Sequence, residues 1–106
     1  MDIHQHAQLI AVLEKDFRGQ AAEIQFTQWD SDGEDEEVTQ FRGELSDVRL
    51  SDNEFGEKDL QMSFAIDGDQ VVDILMEIPA DEEDLAAFVD GRLSIFGTEA
   101  EIVLKR

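Results

Sequence analysis

The chain has no cysteine and no tyrosine, one proline, two histidines, and only eight Lys and Arg set against 27 Asp and Glu. Each shortage excludes something. Without cysteine there is no disulfide framework, no thiolate metal site and no cysteine nucleophile, a pattern that fits a reducing compartment and makes cytoplasmic location the expectation. The longest apolar runs, such as Ile102-Val103-Leu104, fall far short of the ~20 residues that a membrane-spanning helix needs. The first residues, MDIHQHAQ, carry no basic n-region, so neither membrane insertion nor secretion is expected.

The seven glycines are scattered singly, with no glycine-rich phosphate loop. No G-x-S-x-G elbow occurs for His4 or His6 to serve, so no hydrolytic triad can be assembled. Among 27 acids no catalytic pair can be singled out, because burial and a shifted pKa distinguish such a pair. The expectation is a protein that is not an enzyme and uses no cofactor.

The formal charge of −19 works against phosphate backbones, since nucleic-acid affinity comes largely from Lys and Arg displacing condensed counterions. Direct nucleic-acid binding is therefore not expected. The acids run through both halves of the chain and make the whole surface negative, which speaks to association and solubility rather than to fold. Attraction to a basic partner, simple solubility and adaptation to a saline cytoplasm all account for it. The use of only three lysines, Lys15, Lys58 and Lys105, fits the last of these.

What is present is enough apolar material for a core. Hydrophobic residues make up 42% of the chain, and 106 residues suit a single domain, 1–106. Residues 3–17 place Ile3, His6/Ala7, Ile10, Leu13 and Phe17 three or four apart, the apolar stripe of a helix, which Gly19 is suited to end. From residue 22 the period becomes two. Ala22, Ile24 and Phe26 predict a strand over 21–29. Phe41, Gly43 and Leu45 predict another, whose phase shifts to Val48 and Leu50 and requires a bulge near Ser46-Asp47.

Leu60, Met62, Phe64 and Ile66 alternate next, turn at Asp67-Gly68-Asp69, and return through Val72, Ile74, Met76 and Ile78. Asp81, Glu82, Glu83 and Asp84 ahead of Leu85, Ala86, Phe88 and Val89 predict a short helix over 81–90 ended by Gly91, because acids favour the first turn of a helix. A last hairpin turns at Gly97-Thr98, between Leu93–Phe96 and Ala100–Leu104. The fold class is α+β: an N-terminal helix, a bent antiparallel sheet or small open barrel of about six strands, and a short helix before the last hairpin. Ile95-Phe96-Gly97-Thr98-Glu99-Ala100-Glu101-Ile102 resembles the second motif of the Sm-like small barrels, and Phe41-Arg42-Gly43-Glu44-Leu45 resembles their bent second strand. That resemblance implies a curled antiparallel sheet. The chain departs from the Sm-like pattern in lacking basic or Asn residues at the turn and in its extra segment 71–90.

The densest acidic run, Asp30 to Glu37, holds six acids in eight residues. An EF-hand register starting at Asp30 would need Gly where Asp35 stands and Glu where Phe41 stands, so a solvated loop is expected rather than a calcium site. His4 and His6, two apart on a helix, point away from each other and cannot share a metal. No metal site is assigned.

The leading functional expectation is a small acidic interaction protein that binds a basic protein, as an inhibitor, an immunity-like protein or a nucleic-acid mimic. Its candidate contacts are Trp29, Asp30, Asp32, Asp35, Glu36, Glu37, Glu99 and Glu101, a tryptophan beside dense negative charge being suited to a cationic partner. On one strand Glu99 and Glu101 would stand ~6.7 Å apart, near the phosphate spacing of a DNA strand. The alternative is a self-associating structural or housekeeping domain, a homodimer burying Val71, Leu75 and Val103, apolar residues expected on the otherwise solvated face of the sheet.

Overall fold

A computed structural model of the chain describes residues 1–29, 35–67 and 69–106. Eight strands, β1 (Asp2–Ile3), β2 (Ala21–Trp29), β3 (Glu36–Asp52), β4 (Lys58–Ala65), β5 (Val71–Ile78), β6 (Ala86–Val89), β7 (Arg92–Phe96) and β8 (Ala100–Lys105), form one antiparallel sheet. Their order is β1-β6-β7-β8-β2-β3-β4-β5. Among the described residues a single helical segment, α1 (His6–Val12) continuing into a π-helical turn (Leu13–Phe17), buries Leu9, Val12, Leu13 and Phe17. The antiparallel, mostly β architecture with one helix matches the class read from the sequence, while several details differ.

The long strand β3 organises the sheet. Its first half pairs with β2 and its second with β4, and the register slips between Leu45 and Asp47. This is the bulge required by the phase shift in the sequence: Ser46 is the extra residue, and its Oγ donates to the Ser63 carbonyl at 3.0 Å. Leu45 and Val48, on either side of the slip, therefore both reach the core. Alternation then fills one face with Ile24 and Phe26 of β2, Leu60, Met62 and Phe64 of β4, Ile74, Met76 and Ile78 of β5, and Leu93, Ile95, Ile102 and Leu104 of β7 and β8. The helical side chains join the same cluster.

Phe17 meets Phe88 edge-on at 5.7 Å, and the Arg106 guanidinium lies 5.8 Å and 5.7 Å from their two ring centroids. Arg106 also donates to the Asp16 carbonyl at 3.0 Å, which ties the strand side of the core to the end of the helical segment.

The helix is shorter than the sequence stripe implies. Ile3 is fully buried, but in edge strand β1, and α1 starts only at His6. The buried face is Leu9, Val12, Leu13 and Phe17, with Ala7 exposed and Ile10 only half-buried. The π turn is closed by the Arg18 N–H on the Leu13 carbonyl at 3.0 Å, and Leu13 and Phe17, four residues apart on one face, are both inside.

No helix forms over 81–90. Residues 81–84 make a bend and Ala86–Val89 form β6, which together with β1 brings the strand count among the described residues to eight rather than about six. Two signals in that segment point to the observed structure. Asp90 (φ 52°) and Gly91 (φ 78°) both have positive φ, the two-residue turn of an Asp-Gly hairpin, and Val89 pairs with Arg92 across it. The acids do meet a helix N-terminus, but that of α1: Glu82 Oε2 accepts from the His6 N–H at 2.7 Å.

Candidate functional site

The sheet is open in its pairing order, with β1 and β5 at its edges, yet it curls until the end of β5 meets the β7–β8 turn. The Thr98 N–H donates to the Glu77 carbonyl at 3.0 Å, and Thr98 Oγ1 donates to Glu77 Oε1 at 2.8 Å. The other Glu77 oxygen accepts from Asn53 Nδ2 at 2.9 Å. Asn53 in turn shapes the β3–β4 connection, its Oδ1 accepting from the Phe55 and Glu57 N–H groups at 2.9 and 3.0 Å. One carboxylate thus links two turns across the opening of the sheet.

A groove of about 480 Å³ lies at that junction. Its floor is the end of the core, Phe26, Met76 and Ala100, all buried. Half-buried Trp29 and exposed Leu75 line its sides. The Trp29 backbone N–H donates to the Glu99 carbonyl at 3.1 Å, and Trp29 stands opposite Glu36 in the β2–β3 ladder, so the backbone of residue 29 lies between two acidic residues. Five acidic residues, Asp35, Glu36, Glu37, Glu77 and Glu99, line it together with Gln28 and Thr98, and no Lys, Arg or His lines it among the described residues. An apolar floor, a tryptophan and a ring of carboxylates suit the aliphatic stem and charged head of a lysine or arginine side chain.

The structure brings Trp29, Asp35, Glu36, Glu37 and Glu99 together at this groove. Asp30 and Asp32 lie outside the described residues, as does the Gly68 turn position. Glu36 and Glu37 belong to strand β3 rather than to the acidic loop. Glu101 sits on β8 beside Thr27 and Phe96, outside the groove lining, and Glu99 immediately precedes β8. Val71 and Leu75 are 57% and 60% exposed on edge strand β5, whereas half-buried Val103 pairs with Ser94 and Gln25 on the far side of β2, β3 and β4. The three self-association candidates form no single row.

Sequence reasoning did not single out Glu77 or Thr98. Glu77 reads as one polar position of an alternating strand, and nothing local signals that the β7–β8 turn will meet it.

His4 and His6 serve the fold. The His4 Nδ1–H donates to the Glu83 carbonyl at 2.5 Å and the His6 Nε2–H donates to the Pro79 carbonyl at 2.9 Å, holding the 79–84 segment against the start of α1. Among the described residues no group of His, Asp and Glu is arranged to hold a metal ion, and no helix is long and apolar enough to cross a membrane. No protein-family model, curated protein or solved structure matches the chain.

Proposed function

We propose that this chain is a small, non-enzymatic binding protein of the cytoplasm whose acidic groove receives a basic segment of a partner protein. The observation that carries the reading is the gathering of five acidic residues and Trp29 around an apolar floor with no cation lining it among the described residues. An acidic patch raises the association rate of a cationic partner, and a partly desolvated tryptophan supplies the contact that slows its departure. The reading as a binding protein is supported by a sequence in which no nucleophile–base pair or phosphate loop can be assembled.

Trp29 is the only tryptophan, so its fluorescence reports the groove directly. Titration with an oligoarginine peptide should shift its emission at low salt and much less at high salt, while oligoglutamate should leave it unchanged. An emission that ignores oligoarginine at low salt would refute the proposal.

A second reading, self-association through β5, is favoured by the 57% and 60% exposure of Val71 and Leu75 on a sheet edge, where unpaired backbone groups invite another strand. Asp73 stands between them and would face its counterpart in an antiparallel pairing centred there, which weighs against it. Sedimentation that stays monomeric across micromolar concentrations removes this second reading.

A further inference from the structure

Toward the other end of β2 from Trp29, the ladder sets Arg92, Lys105, Glu23 and Arg42 side by side across β7, β8, β2 and β3. All four are exposed, on the outer face of the sheet. Arg18, Arg42, Arg49, Lys58 and Arg106 each lie within 4.0 Å of a carboxylate, Arg42 at that distance from Glu23. Arg92 and Lys105 enter no ion pair among the described residues, although acids outnumber bases 27 to 8. Like charges directly opposite on neighbouring strands destabilise a sheet, so this adjacency carries a local cost that a bound anion would relieve. The row borders an open cavity of about 590 Å³, within the roughly 300–1,000 Å³ of small-molecule sites. Gln25 and Gln40 line the same cavity and add amide donors, and Val103 gives it an apolar patch.

We infer that this row is a binding site for a small multivalent oxyanion carrying phosphate or carboxylate groups. The net charge of −19 selects the size of the ligand. An extended polyanion would reach beyond the patch into the negative surface. A small ion stays within a Debye length, about 8 Å at physiological salt, of Arg92 and Lys105 and is screened from the groove. Glu23 and Trp29 stand six positions apart on β2, roughly 20 Å of strand, so the two sites are electrostatically distinct. Arg42 and Arg92 supply planar forks suited to oxyanions, and Lys105 adds a point charge between them. Glu23 competes with the ligand for Arg42 and keeps the site weak in the absence of a multivalent anion.

The test is titration of the intact chain with pyrophosphate and, separately, with citrate, followed by backbone amide chemical shifts. The expected result is saturable shifts confined to the 23–25, 40–42, 92–94 and 103–105 rows. Response to pyrophosphate alone assigns a phosphate ligand, and response to citrate alone a carboxylate one. Arg92→Gln and Lys105→Gln should each weaken binding about tenfold or more with thermal stability unchanged or raised, and Glu23→Gln should tighten it. The inference is overturned if neither anion shifts these rows, or if the shifts persist unaltered in both cation variants. It is also overturned if the chain self-associates at low salt and Arg92→Gln abolishes that association, which would make the row a contact for a second copy.

Discussion

Thr98 is bound to Glu77 twice, backbone to backbone at 3.0 Å and hydroxyl to carboxylate at 2.8 Å, and this pair fastens the end of strand β5 to the β7–β8 turn. The contact spans twenty-one residues of sequence and fixes the relative position of the two elements that carry Leu75 and Glu99. Glu77 is half-buried, and its second oxygen is occupied by Asn53. An amide in its place would turn an NH₂ toward one of two donors. Glu77→Gln should lower stability by about 1–3 kcal/mol, and Thr98→Val by about 1 kcal/mol, read as a lower urea midpoint at unchanged slope. A midpoint that does not move in either variant would mean that the curl is held by the core alone.

Gly97 makes the same junction possible by what it lacks. A Cβ there would stand 2.7 Å from the Glu77 carbonyl oxygen and 2.8 Å from the Ala100 carbonyl oxygen, both backbone atoms that cannot swing aside. The Met76 methyl, also 2.7 Å away, could move. Gly97→Ala should therefore cost about 1–3 kcal/mol, comparable to overpacking a core, and should open the groove by displacing the turn. Gly43→Ala is the control. Its nearest backbone contact is 3.1 Å, from the Ala65 carbonyl, so it should be milder. Equal losses in the two variants would contradict the account of the junction.

The charge of the groove can be separated from its shape. Glu36 and Glu37 are exposed at the start of β3, where neutral amides keep the strand and remove like charge. Glu36→Gln with Glu37→Gln should slow association with oligoarginine several-fold and flatten its salt dependence, leaving dissociation nearly unchanged. Folding stability should stay level or rise slightly as repulsion is relieved. Trp29→Ala should do the converse, raising the dissociation rate with little effect on the approach. An on-rate blind to the double change would remove electrostatics from the proposed function.

Particular residues show why some of this was legible in the sequence and some was not. The bulge at Ser46 was legible because a period-two pattern that changes phase has only one local remedy. The cluster of Trp29 with Asp35, Glu36 and Glu37 was legible because a hairpin places its own flanks together. Strand β6 was not, because four consecutive acids resemble a first helical turn whether they cap their own helix or, as Glu82 does, another one. Glu77 and Leu75 joined the groove only through the curl of the whole sheet, and the row of Arg92, Lys105 and Arg42 only through pairing of strands distant in sequence. Local patterning sets which face a residue occupies; the strand order decides its neighbours.

At the β3–β4 hairpin an ion pair makes stability depend on pH. Asp52 and Lys58 are paired in the ladder and joined by a hydrogen bond, and that bond, followed by the ammonium charge, holds the Asp52 carboxyl below the usual carboxylate range. A depressed carboxylate pKa contributes stability that is complete above the ordinary value of 3.8 and is lost as pH falls through the lowered one. The protein as a whole has the opposite tendency over part of that range, because protonating some of its 27 acids relieves their mutual repulsion. A stability curve of the wild type alone would mix the two effects. The carboxyl ¹³C shift of Asp52 separates them. Its titration midpoint should lie below the ordinary 3.8, and in Lys58→Gln it should rise toward that value. The stability gap between wild type and Lys58→Gln should then narrow as acid protonates Asp52. A midpoint for Asp52 that is the same with and without the lysine would show that the pair makes no bond in solution.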